Sequence, residues 1–178
     1  GRTGARFLSF TARTAAALSV LAVVGAGAMV WQSQPSEQTY STDVGGREVI
    51  SLVDGTKIEL NTDTHLRVRL TERERTVILD RGEAFFRVRH DASRPFAVLA
   101  GNRRIVDLGT KFVVRRDAKR FEVALVEGSA RLDAPDGTIR QAVVLAPGDA
   151  VVETGRTLVI KRKSTGALLD ELGWRRGV

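Results

Sequence analysis

The residues that could do chemistry are few. His90, Asp91 and Ser93 stand almost side by side, and a histidine, a carboxylate and a hydroxyl are the parts of a hydrolytic triad. A working triad draws those parts from separate segments, so that three side chains converge on one point. Neighbours on one short stretch fan apart instead. His90 falls in the apolar-facing register of the run before it, and Ala92 to Pro95 reads as a turn. A hydrogen-bonded structural role is therefore expected for His90. Thr110 and Lys111 follow Gly109 but lead into a strand-like run, so they do not form the anion site that a helix start would offer. No G-x-x-x-x-G-K or G-x-G-x-x-G stretch is present, and nothing singles out an acid–base pair among the carboxylates. The chain has two histidines and no cysteine, which removes disulfides and thiolate metal sites and leaves any other metal site to scattered carboxylates. No catalytic, cofactor-binding or metal-ligating residue is nominated, no cofactor is expected, and the chain is not expected to be an enzyme.

A net charge of +7 invites a nucleic-acid reading, but its distribution argues otherwise. Arg2, Arg6 and Arg13 precede an apolar run. Between Arg67 and Arg75 the bases are broken up by Glu72 and Glu74, as on a solvated face. No aromatic side chains are interspersed there to stack on bases, so nucleic acid is not expected as a partner.

What would position any site is a chain of 178 residues that opens on Gly1 and not on Met, as a piece of a longer protein, a processed chain or an imperfect gene model would. From Thr14 to Trp31 no charged residue appears. As a helix at about 1.5 Å per residue the run reaches about 27 Å, just enough for a bilayer core of about 30 Å. Its near flank is wholly basic and Trp31 stands where an interfacial aromatic belongs. The positive-inside rule then puts residues 1–13 in the cytoplasm and everything after Gln32 outside it. A membrane helix over 14–31 is the expectation. Two alternatives are a cleaved signal peptide, for which Ala26-Gly27-Ala28 offers a cut, and a buried core helix. Residues 32–42, polar and containing Pro35, read as a linker.

After the linker the period becomes two. Leu66, Val68 and Leu70 alternate with Arg67 and Arg69; Ala84, Phe86 and Val88 alternate with Phe85, Arg87 and Arg89. Phe96 and Val98 alternate with Ala97 and Leu99, and Phe121, Val123 and Leu125 with Glu122 and Ala124. This is the half-buried strand pattern. Turn signals separate the runs at Gly45-Gly46, Asp54-Gly55, Arg81-Gly82, Gly101-Asn102, Glu127-Gly128, Pro135-Asp136-Gly137, Pro147-Gly148 and Thr154-Gly155. The expected fold class is all-β over 43–163: many short strands in a twisted sandwich or an irregular stacked β architecture. Leu-x-x-Gly-x-Ala recurs at Leu79/Gly82/Ala84, Leu125/Gly128/Ala130 and Leu145/Gly148/Ala150, with a looser copy at Leu52/Gly55. These are either ordinary turns or similar bends lined up along one edge, and their irregular spacing rules out a strict solenoid.

Several stretches in this order resemble the FecR family of regulators. They are Leu52-Val-Asp-Gly-Thr-Lys-Ile-Glu-Leu-Asn61, Arg81-Gly-Glu-Ala-Phe-Phe-Arg-Val-Arg-His-Asp91, Arg94-Pro-Phe96, Leu108-Gly-Thr-Lys-Phe-Val-Val114, Val126-Glu-Gly128 and Leu145-Ala-Pro-Gly148. Trp174 and Gly177 resemble the W-x-x-G that opens the family's next region, so 164–178 is expected to be the truncated start of a following module. The resemblance implies an anti-sigma regulator in the inner membrane, single-pass, with its carboxyl portion periplasmic. It implies two partners: the signalling domain of a TonB-dependent outer-membrane receptor, often one for an iron chelate, and an extracytoplasmic-function sigma factor held by a cytoplasmic region that 1–13 is too short to supply. The alternative function is a membrane-anchored or secreted periplasmic β domain that binds a glycan or envelope component. The many cations on the strands, among them Arg67, Arg69, Arg87, Arg89, Lys161, Arg162 and Lys163, are expected to guard strand edges and leave the β domain a support rather than the principal receptor contact.

Overall fold

A computed structural model of the chain describes residues 37–107, 109–134, 142–155 and 157–176. The expected flank, membrane helix and first half of the linker lie outside the described residues. Among the described residues no helix is long and apolar enough to cross a membrane.

The described chain is built almost wholly of strands: β1 (Glu37–Ser41), β2 (Glu48–Ser51), β3 (Lys57–Leu60), β4 (His65–Leu70), β5 (Arg75–Arg87), β6 (Phe96–Ala100), β7 (Arg103–Asp107), β8 (Lys111–Arg116), β9 (Arg120–Glu127), β10 (Ala130–Asp133), β11 (Val143–Leu145), β12 (Asp149–Thr154) and β13 (Thr157–Arg162). A short helix α1 (Thr165–Glu171) and a 3-10 turn (Gly173–Arg176) close it. The strands form one sheet folded into two layers. The first runs β1-β4-β5-β6-β7-β10-β11 and the second β2-β3-β5-β8-β9-β12-β13, so β5 belongs to both. Phe86 of the second layer reaches Phe96 of the first at 6.3 Å between ring centroids, and stacks on Phe112 at 5.0 Å. These three rings are completely buried in a core that both layers share with Leu66, Leu79, Ile105 and Leu125. Burying each ring contributes about 1.5–3 kcal/mol. The expected all-β class is the fold, as one sheet curled into two layers.

Arg81-Gly82, read from the sequence as a turn, lies inside β5. Residues 75–79 pair with β4 and β6 in one layer, and residues 82–87 pair with β8 in the other. A shift of register between His65 and Leu66 opposite Arg81 marks the bend. Gly82 has φ +94°, and a Cβ there would stand 2.5 Å from the Thr64 Cα. No side chain fits, so only glycine allows the strand to swing between layers at this point. The other two full copies of the motif do the same. Leu125 pairs in the second layer and Ala130 in the first; Leu145 pairs in the first and Ala150 in the second. The Leu and the Ala are buried in each copy. The recurring motif is therefore a layer-crossing bend, whereas the looser copy at Leu52/Gly55 is a hairpin turn between β2 and β3.

One boundary shifts, and a second segment is seen to pack on the domain. The expected linker 32–42 is strand from Glu37 onward. The run Glu37 to Ser41 lacks apolar alternation because it is an edge strand, held to β4 in register Glu37↔Arg69 to Ser41↔His65. Residues 164–176, expected to begin a separate module, pack on the β domain. Ser164 caps α1 by accepting the Ala167 N–H at 3.1 Å, and Leu168 and Leu172 are buried against the second layer.

Candidate functional site

His90, Asp91 and Ser93 do not converge. Ser93 Oγ donates to Asp91 Oδ1 at 2.6 Å, and the Ser93 and Arg94 amides donate to the same oxygen at 3.1 and 3.3 Å. The hydroxyl first, then Arg94 and the Ser93 N–H, pull the Asp91 carboxyl down to about 2. This is a self-contained turn, with the serine proton turned toward the carboxylate. His90 was expected in the apolar register of a strand. β5 ends at Arg87, so His90 lies past the strand and is exposed, with its ring against Gly109. Thr110 and Lys111 are tied into the scaffold as well. The Thr110 hydroxyl donates to the buried Asp107 carboxylate, which also accepts the Gly109 N–H at 3.0 Å, and Lys111 Nζ pairs with Glu127.

Cations occupy three kinds of place. On the outer face of the first layer Arg67 clasps Asp80 through two bonds of 2.9 Å and reaches Glu37 at 3.2 Å, while Arg69 reaches Glu37 at 2.9 Å. His65 Nδ1 adds a contact to Asp80 at 3.0 Å. Arg67 holds the Asp80 carboxyl below its ordinary range, and Arg69 with Arg67 does the same to Glu37. The expected solvated face is thus a ladder of ion pairs that straps β1 to its neighbours.

Other cations are buried. Arg75, 2% exposed, donates to the carbonyls of Arg94 at 2.6 Å and Arg89 at 2.9 Å and to Asp54 at 3.1 Å. Its place follows from topology. β5 and β6 are parallel, with Arg75 beside Phe96, and parallel neighbours need a crossover, here residues 88–95. Carbonyls inside such a crossover have no ladder partner, and the Arg75 guanidinium supplies the donors. Arg103 of β7 crosses to the other layer and binds Glu153 of β12 through both nitrogens, at 2.6 and 2.5 Å. Beside that pair, Arg116, Lys119, Arg120, Phe121 and Gly155 line a groove of about 600 Å³. Its charges are partly spent: Arg120 pairs with Glu122 at 2.6 Å, and Asp117 accepts the Lys119 and Arg120 amides at 2.8 and 2.9 Å.

The third place is the outer face of the second layer. Phe85, Val113, Ala124 and Ala150 form an apolar strip there, covered by Leu168, Leu172 and Trp174. Arg175 fastens the cover. Its two nitrogens donate to Glu59 at 2.7 Å each, and its guanidinium lies 3.7 Å over the Phe85 ring. The period-two reading put Phe85 among side chains facing water with Arg87 and Arg89. Its signal was available all the same: Phe85, Val113 and Ala124 are apolar on strands whose other face is already apolar, which asks for cover on both sides.

The molecule thus offers faces, edges and a groove whose ionisable groups mostly hold one another. Two crystal structures of proteins described as candidate anti-sigma factors from Parabacteroides distasonis superpose with TM-scores of 0.68 and 0.67, each at 24% identity. The alignments cover 77% and 76% of this chain but 65% and 64% of those chains, so the present chain spans less than two thirds of their length. At that identity the likeness is one of fold. No curated protein matches the sequence. The sequence model of FecR proteins matches residues 38–131, more than half of the 178 residues, and takes in the first strand from Gln38 onward, the bend at Gly82 and the buried Arg75 crossover; the chain belongs to the FecR protein family.

Proposed function

We propose that this chain is the membrane span and extracytoplasmic β domain of an anti-sigma regulator, a relay and not an enzyme. Family membership over residues 38–131 carries the reading, and the fold shared with proteins described as candidate anti-sigma factors supports it. In this reading Thr14–Trp31 crosses the inner membrane and the described domain stands in the periplasm. The signalling domain of a TonB-dependent receptor contacts the periplasmic portion, and the message reaches an extracytoplasmic-function sigma factor on the cytoplasmic side. A relay requires that a contact at one place move something at another. The domain suits that need because its ends are fastened to it: β1 by Glu37 to Arg67 and Arg69, and the carboxyl segment by Arg175 to Glu59. Force applied to the sandwich would pass to both exits of the chain rather than being lost in loose tails.

The topology is tested with alkaline phosphatase fused at Ser164, which is active only outside the cytoplasm. Activity is expected, and a fusion that works only as a cytoplasmic reporter overturns the arrangement. The partner is tested by calorimetric titration of a receptor signalling domain, from the receptor encoded beside this gene, against the full chain and against a chain extended beyond residue 178. Binding by either supports the relay, and binding by neither overturns it.

A further inference from the structure

Among the described residues the sheet has four edge strands, β1, β2, β11 and β13, each paired on one side alone. They are not equally guarded. β1 carries the Glu37 clasp, β2 spans Glu48–Ser51, and β11 spans only Val143–Leu145. β13 is longer and regular: it pairs with β12 without a break from Thr154↔Thr157 to Asp149↔Arg162. It contains no proline and no bulge, the two devices that blunt an edge without charge. Leu158 packs on the core, while Val159 and Ile160 are 43% and 52% exposed. They lie opposite Val152 and Val151 and so stand on opposite faces of the strand.

Two of the cations expected to guard this edge have acidic partners on the protein, although the Arg162 side chain stays 78% exposed. Arg162 donates to Asp149 at 2.8 Å, and Lys163 reaches Glu171 at 2.6 and 2.8 Å. Lys161 remains exposed. From Gly155 to Lys163 the sequence holds Arg156, Lys161, Arg162 and Lys163 and no acid.

We propose that β13 is an acceptor edge for strand addition, and that its occupant is an extended segment of another protein in which carboxylates alternate with apolar side chains. The unpaired row of β13 amides and carbonyls supplies main-chain hydrogen bonds. The occupant's apolar side chains then lie on the face of Ile160, and its carboxylates lie on the face that carries Val159 and Lys161, where Lys161 meets one across the new pair. A second copy of this chain fits poorly, because it would bring one acid-free basic stretch against another. The inference goes beyond the relay reading, since it concerns what the edge accepts whichever protein provides the strand.

The test is hydrogen exchange read by mass spectrometry on the full chain in detergent. One probe is a synthetic peptide of alternating valine and glutamate, and the control is the same peptide with lysine for glutamate. The acidic peptide should slow exchange across residues 157–162 about tenfold, with the basic peptide inert. Lys161→Glu, on an exposed side chain, should weaken the acidic peptide and admit the basic one. Equal protection by both peptides, protection at a different edge, or none at β13 overturns the proposal. So does β13 protection that rises with chain concentration alone, which would make a second copy the occupant.

Discussion

Replacing Arg75 by methionine isolates what the buried guanidinium does. Methionine is of similar length and keeps apolar contact near Phe96, whose ring centroid lies 5.6 Å from the guanidinium carbon. It supplies no donor. The carbonyls of Arg94 and Arg89 then lose bonds of 2.6 and 2.9 Å inside the protein, and each unsatisfied buried acceptor costs about 1–3 kcal/mol. Asp54, its side chain 6% exposed, loses its cation. Removing one partner of a buried pair costs about 3–5 kcal/mol when the other is left bare. Asp54 is not bare, since it keeps the Thr56 amide at 2.9 Å and hydroxyl at 3.0 Å. Taking the low end of each contribution and allowing for overlap, Arg75→Met should destabilise by about 4 kcal/mol. Asp54→Asn, which leaves the carbonyls served, should cost about 2 kcal/mol. The pair share one network, so the double variant should fall short of the sum by at least about 1 kcal/mol. Urea denaturation of the four proteins measures all three quantities. An Arg75→Met cost below about 1 kcal/mol, or strict additivity, would refute the view that this side chain holds the crossover.

Three further outcomes are expected. Gly82→Ala should cost at least about 2 kcal/mol, because φ is +94° and the new methyl meets Thr64 Cα at 2.5 Å, whereas Gly155→Ala, with φ +62° and open space, should cost about 1 kcal/mol; thermal melts compare them. Phe86→Ala should cost about 3–5 kcal/mol and Arg87→Ala about 0.5 kcal/mol or less, and equal losses in chemical denaturation would contradict the register. Arg162 first, then the Ala146 N–H, hold the Asp149 carboxyl below its ordinary value of 3.8. A depressed folded value adds stability that is present above the unfolded value and disappears as pH falls through the folded one. The stability gap between the parent and Asp149→Asn should therefore be constant near neutrality and close below about pH 4, as followed by denaturation at stepped pH.

Much of this was legible because one face of a half-buried strand is apolar and the other is not. Leu66 and Val68 are buried with Arg67 and Arg69 outside them, as the alternation required. The reading failed where a second constraint acts on the same residues. Arg81-Gly82 has turn chemistry, but turn chemistry and a bend between layers ask for the same glycine. Only the partner strands, remote in sequence, decide between them. β1 escaped notice because Glu37–Ser41 is chosen for ion pairs with β4 rather than for alternation. The parallel pairing of β5 with β6 was out of reach for the same reason. A connection of residues 88–95 looks like a loop between antiparallel neighbours, and the arginine that makes the crossover possible sits at the far end of β5.

The cations show most plainly why faces and edges must be told apart. From sequence alone a basic residue on a strand reads as a guard. In the fold Arg67 and Arg69 stand on a face, spent on Glu37 and Asp80. Arg75 and Arg103 lie inside, one serving a crossover and the other joining the layers through Glu153. Arg175 presses a carboxyl-terminal cover onto Phe85. A guanidinium can do each of these things because its donors fork in a plane and its flat surface is weakly hydrated. Once they are assigned, the charge left on β13 is that of Lys161 and the exposed Arg162, which suits an acidic strand, and one edge stays open. A support for other modules would gain nothing from such an edge, so protection of β13 by an acidic strand would move the recognition surface onto the β domain itself.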